Sequence, residues 1–147
     1  MPHPNYRELA GEAYRALGVV HGLMKASSIE PKLVDLLYLR ISQINGCAYC
    51  VDLHTHDLLA AGESPQKLYN MTVWREAPFF SPRERAALAW AEALTRLPIE
   101  HPSAALREET RRAFTDKEFA DLTFVIATMN AYNRLGVGFE LRPKPRN

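Results

Sequence analysis

The sequence has little that would direct it to nucleic acid or to a membrane. Eighteen basic and seventeen acidic residues leave a formal net charge of +1, so no strong electrostatic field favours DNA, RNA or anionic lipid. No run of about eighteen uninterrupted apolar residues occurs, although a membrane-spanning helix needs one. The first residues lack a basic start followed by an apolar stretch. We therefore expect a cytoplasmic protein with neither nucleic acid nor membrane as a partner.

The sequence also lacks convincing runs of alternating β-branched residues, the usual signal of strands. With 147 residues, of which 47% are hydrophobic, residues 1–147 are assigned to a single domain. Helix-forming residues dominate, and turn signals separate them at regular intervals, so we predict an all-α fold of six or seven helices. Capping boxes at Ser81 and Thr115, each with glutamate three residues later, mark two helix starts. The predicted helices cover about 6–25, 31–44, 47–61, 65–73, 82–97, 104–114 and 116–135, and 140–147 is expected to be an extended or frayed tail.

Cysteine is scarce as well: Cys47 and Cys50 are the only two, and His54 follows them. A disulfide between them would close too short a loop to stabilise much, so in a reducing compartment the pair indicates catalysis or metal binding. On a helix the spacings of three and four residues place all three side chains on one side. The helix dipole favours a thiolate at Cys47, whereas His54 favours one at Cys50. The residues alone leave the attacking thiol open.

Asp35 is the candidate acid. It lies on the preceding predicted helix among leucine and valine residues, where an unpaired charge is costly. A carboxylate beside an imidazole orients it and stabilises the proton it receives; a local salt bridge is the alternative role. Zinc is a rival for Cys47, Cys50 and His54, but a fourth ligand is not evident, so thiol redox chemistry is preferred.

The remaining aromatic and histidine residues carry weaker signals. His56 points around the helix from His54 and is assigned to a different surface or to a subunit contact. His21 and His101 have no motif context and are interpreted as structural or surface residues. The larger aromatic side chains are interpreted as core or interface residues; they are Trp74, Phe79, Phe80 and Trp90.

The segment 33–62 resembles the core motif of the alkylhydroperoxidase D family, within the carboxymuconolactone decarboxylase superfamily. The segments 74–78 and 84–92 look like one subgroup of that family, and the likeness covers roughly residues 15–135. The motif residues are Ser42, Gln43, Asn45, Cys47, Cys50 and His54. The resemblance implies an oligomeric all-α protein, a homotrimer or homohexamer, and a thiol-dependent peroxidase or disulfide reductase acting on alkyl hydroperoxides.

By position, the resemblance implies that Cys50 is the peroxidatic cysteine and Cys47 the resolving one, with His54 and Asp35 as the proton relay. It implies no bound cofactor and an external dithiol reductant, such as a lipoylated partner. Two alternatives remain on this fold: a non-redox lactone decarboxylase and a redox-sensing protein without efficient turnover. Asp35 is one methylene shorter than the family's usual glutamate, so its contact with His54 is expected to be weaker or bridged by water. Tyr49 replaces a histidine sometimes found between the cysteines, and we assign it packing or hydrogen bonding.

Overall fold

The computed structural model describes residues 4–146 and confirms the all-α prediction. That part of the chain forms eight α-helices and one 3₁₀ helix, Met71–Val73, and contains no strand. The first three residues of the predicted domain and Asn147 of the predicted tail lie outside the described residues. The α-helices are α1 Tyr6–Leu9, α2 Gly11–Lys25, α3 Pro31–Asn45, α4 Ala48–Ala60, α5 Pro65–Tyr69, α6 Pro82–Thr95, α7 Ala104–Ala113 and α8 Asp116–Gly138.

Helix α3 is the centre of the fold, as its apolar circumference predicts. Every residue from Leu33 to Ser42 is buried, because α4, α6 and α8 pack around it. Pro31 begins the helix at a position where its missing N–H is no loss. Gly46 ends it in the left-handed conformation, with φ of 69°, which glycine adopts without strain. The tight turn at Gly46 leads directly into α4.

The helix starts predicted from capping boxes are confirmed. The Ser81 side chain accepts from the N–H of Glu84, and the Glu84 carboxylate accepts from the N–H of Ser81. Thr115 and Glu118 make the same reciprocal pair at the start of α8. These contacts involve residues three apart, so they form wherever the local sequence supplies both partners.

Residues 4–146 form eight α-helices rather than the six or seven predicted, and the predicted helix 65–73 ends at Tyr69, with the 3₁₀ helix Met71–Val73 after it. Two further differences accompany contacts between distant parts of the chain. The first predicted helix is broken at Ala10, where φ is −117° and ψ is 39°, and the break lets Tyr6 stack on Phe139 beyond the end of α8. The last helix continues through Gly136 to Gly138 instead of ending at Leu135. Both differences bring distant parts of the chain together, which local signals do not report.

No helix in residues 4–146 has the length and apolar character needed to cross a bilayer. Trp74, Phe80 and Trp90 are buried, which confirms their assignment to the core. Helix α2, by contrast, has no buried residue in the described chain, and its Val19 and Leu23 side chains are more than half exposed.

Candidate redox site

The two cysteines lie at the start of α4, where the turn at Gly46 places them. Cys47 is the residue that caps the helix, and its sulfur accepts from the N–H of Cys50 at 3.4 Å. The two sulfurs are joined in a disulfide, with Cα atoms 5.3 Å apart. Both side chains are buried, with 2% of Cys47 and 5% of Cys50 exposed.

His54 lies one helical turn after Cys50 and is also buried. Its Nδ1 is 3.5 Å from Oδ1 of Asp35 on α3. This separation exceeds an ordinary hydrogen bond, as expected for a side chain shorter than glutamate. The structure therefore brings together all four residues singled out from the sequence, since Asp35 approaches the helix that carries the cysteine pair.

Lys25 completes this group and was missed from the sequence. Its ammonium group, at the end of α2, lies 2.5 Å from the same Oδ1 of Asp35. Burial raises the pKa of Asp35, but the nearby His54 imidazole and the Lys25 ammonium, which donates a hydrogen bond, outweigh it, so the pKa is lowered. Asp35 is therefore an ionised carboxylate. The only sequence signal for Lys25 was indirect: a buried aspartate needs a cationic partner.

His21 on α2 and Tyr38 on α3 extend the site beyond the motif. The Tyr38 ring is stacked on His21 at 5.7 Å and meets His54 edge-on at 5.1 Å. Burial, followed by the charge of Lys25, lowers the pKa of His21 and so favours its neutral form. His21 thus lies at the redox site, although it had no motif context. The Tyr38 hydroxyl and Nδ1 of His54 are buried without a hydrogen-bond partner among residues 4–146.

A cavity of about 210 Å³ opens beside the cysteine pair. Cys50 and His54 contribute to its wall, whereas Cys47 does not. The wall also includes four tyrosines, His21 and several aliphatic side chains. These further lining residues are Tyr6, Arg7, Tyr14, His21, Tyr49, Leu53, Met129, Tyr132, Leu135, Gly136 and Leu141.

Gly136 lets α8 approach the disulfide closely. A Cβ atom built on Gly136 would lie 2.7 Å from Sγ of Cys47 and 3.4 Å from Sγ of Cys50. One turn earlier, the Asn133 side chain donates to Ser42 Oγ at 3.0 Å and accepts from Asn45 Nδ2 at 2.9 Å. This explains two polar positions of the motif, because their hydrogen bonds hold α8 at the end of α3.

The other segments of the resemblance have a structural role. Glu92, 2% exposed, accepts from Arg40 at 2.8 Å, from the Trp74 indole at 2.9 Å and from Arg75 at 2.5 Å. Burial raises the pKa of Glu92, but these hydrogen bonds outweigh it and lower the pKa. A buried carboxylate with several donors joins α3, α6 and the loop before α6 into one unit.

Two groups of side chains offer donors to a metal. In this oxidised state the sulfurs of Cys47 and Cys50 are bonded to each other and so do not present two thiolates to zinc. Among the described residues, Asp35, His54 and Asp57 offer ligand atoms within 4.8 Å of one another. However, the Lys25 ammonium already occupies Oδ1 of Asp35, which opposes a second cation there.

His56 is exposed and lies away from these residues, on a broad depression of about 670 Å³ beside α4. His56 thus faces a different surface from His54, as expected. At the edge of this depression Arg146 pairs with Asp52 at 2.8 Å, so the predicted tail contacts α4.

Comparison with known proteins supports the motif. Residues 12–93, which include Asp35, both cysteines and His54, match the carboxymuconolactone decarboxylase family. The uncharacterized protein YdfG of Bacillus subtilis is 34% identical over 133 residues, which cover 90% of each chain. A solved protein of unknown function from Agrobacterium tumefaciens, proposed to be an antioxidant defence protein AhpD, has a TM-score of 0.93 and 34% identity, over 99% of this chain and 100% of that one. An uncharacterized peroxidase-related protein from a Silicibacter species has a TM-score of 0.80 and 25% identity, over 90% of this chain and 71% of that one.

Proposed function

Because the chain belongs to the carboxymuconolactone decarboxylase family, we propose that it is a thiol-dependent peroxidase or disulfide reductase acting on alkyl hydroperoxides. The observation that carries the proposal is the shared cavity wall: Cys50 and His54 line the cavity, and Cys47 lies behind, bonded to Cys50. A small molecule in the cavity meets the Cys50 sulfur first. Cys47 is the partner that closes the disulfide.

In the first step the Cys50 thiolate attacks the terminal oxygen of the hydroperoxide. A sulfur–oxygen bond forms, the oxygen–oxygen bond breaks, and the released alkoxide takes a proton to become the alcohol. His54 accepts the thiol proton and supplies it to the alkoxide. Asp35 keeps the imidazole oriented and stabilises its positive charge.

In the second step the Cys47 thiolate attacks the sulfenic sulfur of Cys50. The disulfide forms, the sulfur–oxygen bond breaks, and the sulfenic oxygen takes the proton that the Cys47 thiol gave up and leaves as water. An external dithiol then returns two electrons and two protons to restore both thiols. A lipoyl-type dithiol on a partner protein suits this role, and a dithiol couple of this kind fits the reducing cytoplasm.

Assembly into a homotrimer or homohexamer is part of the same proposal. Its support is α2, whose Val19 and Leu23 are 64% and 61% exposed on a helix without a buried residue. Contiguous apolar surface of this kind is typical of subunit interfaces. Light scattering of the purified protein measures the number of subunits, and a monomer contradicts this part of the proposal.

The test is peroxide turnover with dihydrolipoamide as reductant. Cys50→Ser should abolish turnover, and Cys47→Ser should leave a sulfenic acid on Cys50 that mass spectrometry detects after chemical trapping. His54→Asn should lower the rate about 100-fold, the usual range for a lost acid-base group, whereas the matched control His56→Asn should not. Undiminished turnover in Cys50→Ser refutes the assignment. One disulfide per protein without repeated turnover indicates a redox sensor instead.

A further inference from the structure

The cavity beside Cys50 has room for more than a peroxide group. Its volume is about 210 Å³, and an apolar cavity of about 150 Å³ is sufficient for benzene. Tyr49 and Leu53 of α4 and Met129 and Tyr132 of α8 contribute to its wall. An aromatic ring of a ligand packs favourably against the face or the edge of a tyrosine ring. The cavity therefore suits one substituted aromatic ring.

Arg7 adds a positive charge to this wall. Among the described lining residues it alone carries a permanent charge, since guanidinium stays protonated at all physiological pH values. Its guanidinium lies 5.8 Å from the centre of the Tyr6 ring and 5.4 Å from that of Tyr14. Within residues 4–146 it forms no ion pair with a carboxylate, so a bound anion would have no competitor.

Aromatic contacts hold α1, and with it Arg7, beside the cavity. The Tyr6 ring is stacked on Phe139 at 4.4 Å and meets Tyr14 edge-on at 5.7 Å. These contacts tie α1 both to α2 and to the residue that follows α8. Arg7 is therefore held on a positioned element at the cavity that Cys50 also lines.

We propose that the cavity selects an arylalkyl hydroperoxide whose aromatic ring carries a carboxylate, which Arg7 binds while the hydroperoxide group reaches Cys50. This inference rests on the proposed function and adds its substrate class. A guanidinium binds a carboxylate through two parallel charge-assisted hydrogen bonds, which fixes orientation as well as position. The reaction is the one described above, with the carboxylated arylalkyl alcohol as product and the external dithiol as reductant.

The first test compares kcat/KM for cumene hydroperoxide and its para-carboxy derivative, which share the reacting group. The wild-type protein should prefer the carboxylated substrate about tenfold, the effect of one charge-assisted contact. Arg7→Met should bring the ratio close to one, and Arg7→Lys should keep part of it, because lysine retains the charge but not the fork. The control Arg112→Met, at an exposed position of α7, should keep the wild-type ratio. Equal use of both substrates by the wild type, or a preference that survives Arg7→Met, overturns the inference.

The second test needs no turnover. Titration calorimetry compares para-isopropylbenzoate with its neutral analogue para-isopropylbenzamide. The benzoate should bind about tenfold more tightly, and Arg7→Met should remove the difference. If the benzoate binds through Arg7 but no hydroperoxide is consumed, the proposed function fails and the binding site stands. If hydroperoxides are consumed without any dependence on Arg7, the function stands and this inference fails.

Discussion

Gly136→Ala tests whether the close approach of α8 to the disulfide matters. The added Cβ would lie 2.7 Å from Sγ of Cys47, whereas ordinary contact begins at 3.4 Å, so the two must separate by about 0.7 Å. The atom in the way is the disulfide sulfur, whose neighbours are buried. This sulfur is held in the disulfide and is not the terminal atom of a flexible side chain, so it cannot simply move aside.

The two opposing energies can be compared. Overpacking a closely packed core costs about 1–3 kcal/mol. Replacing glycine by alanine inside a helix returns up to about 1 kcal/mol. The oxidised Gly136→Ala protein should therefore lose up to about 2 kcal/mol of unfolding free energy. Displacement of Cys47 should also slow disulfide formation after one equivalent of hydroperoxide.

Urea unfolding followed by circular dichroism measures the free energy, and mass spectrometry at timed intervals measures disulfide formation. Gly138→Ala is the control, because it is on the same helix and its added Cβ meets nothing within 4 Å. The control should not lose stability, and it can gain at most the roughly 1 kcal/mol that alanine returns in a helix. If Gly136→Ala is as stable as the wild type and closes the disulfide at the same rate, the reasoning is refuted.

Three further predictions follow from the charged groups. Lys25→Met removes a cation from Asp35 and should raise the pKa of that carboxyl. The fall in the peroxide turnover rate at low pH should therefore begin at a higher pH than in the wild type. An unchanged pH profile would show that Lys25 does not control the ionisation of Asp35. Glu92→Gln should cost about 3 kcal/mol of unfolding free energy in urea, because buried arginine charge loses its partner, and a loss below about 0.5 kcal/mol would show that the network is not stabilising. Hydrogen bonds from Lys117, and then from Ser28, lower the pKa of Asp121 from 3.8 to about 2. Its stabilisation is therefore present above about pH 4 and lost as the pH falls towards 2, so Asp121→Asn should lose less stability than the wild type over that range.

Much of the fold could be predicted because helix starts depend on neighbours in sequence. Ser81 and Thr115 have their capping partners three residues away, so the signal and the contact lie in the same short segment. The break at Ala10 had no such signal, since it accompanies the packing of Tyr6 on Phe139. The continuation of α8 through Gly136 was missed for the same reason: glycine there is explained by the sulfurs it faces, not by helix termination.

The sequence by itself determined which groups can do chemistry. Cys47, Cys50 and His54 belong to one short segment, and helical spacing alone places them on one side. Only the tertiary structure decided what surrounds them. Lys25 and His21 come from α2 and Gly136 from α8, and their distances to the site depend on how whole helices pack. Packing of elements remote in sequence is a property of the assembled core, so no local pattern could have reported it.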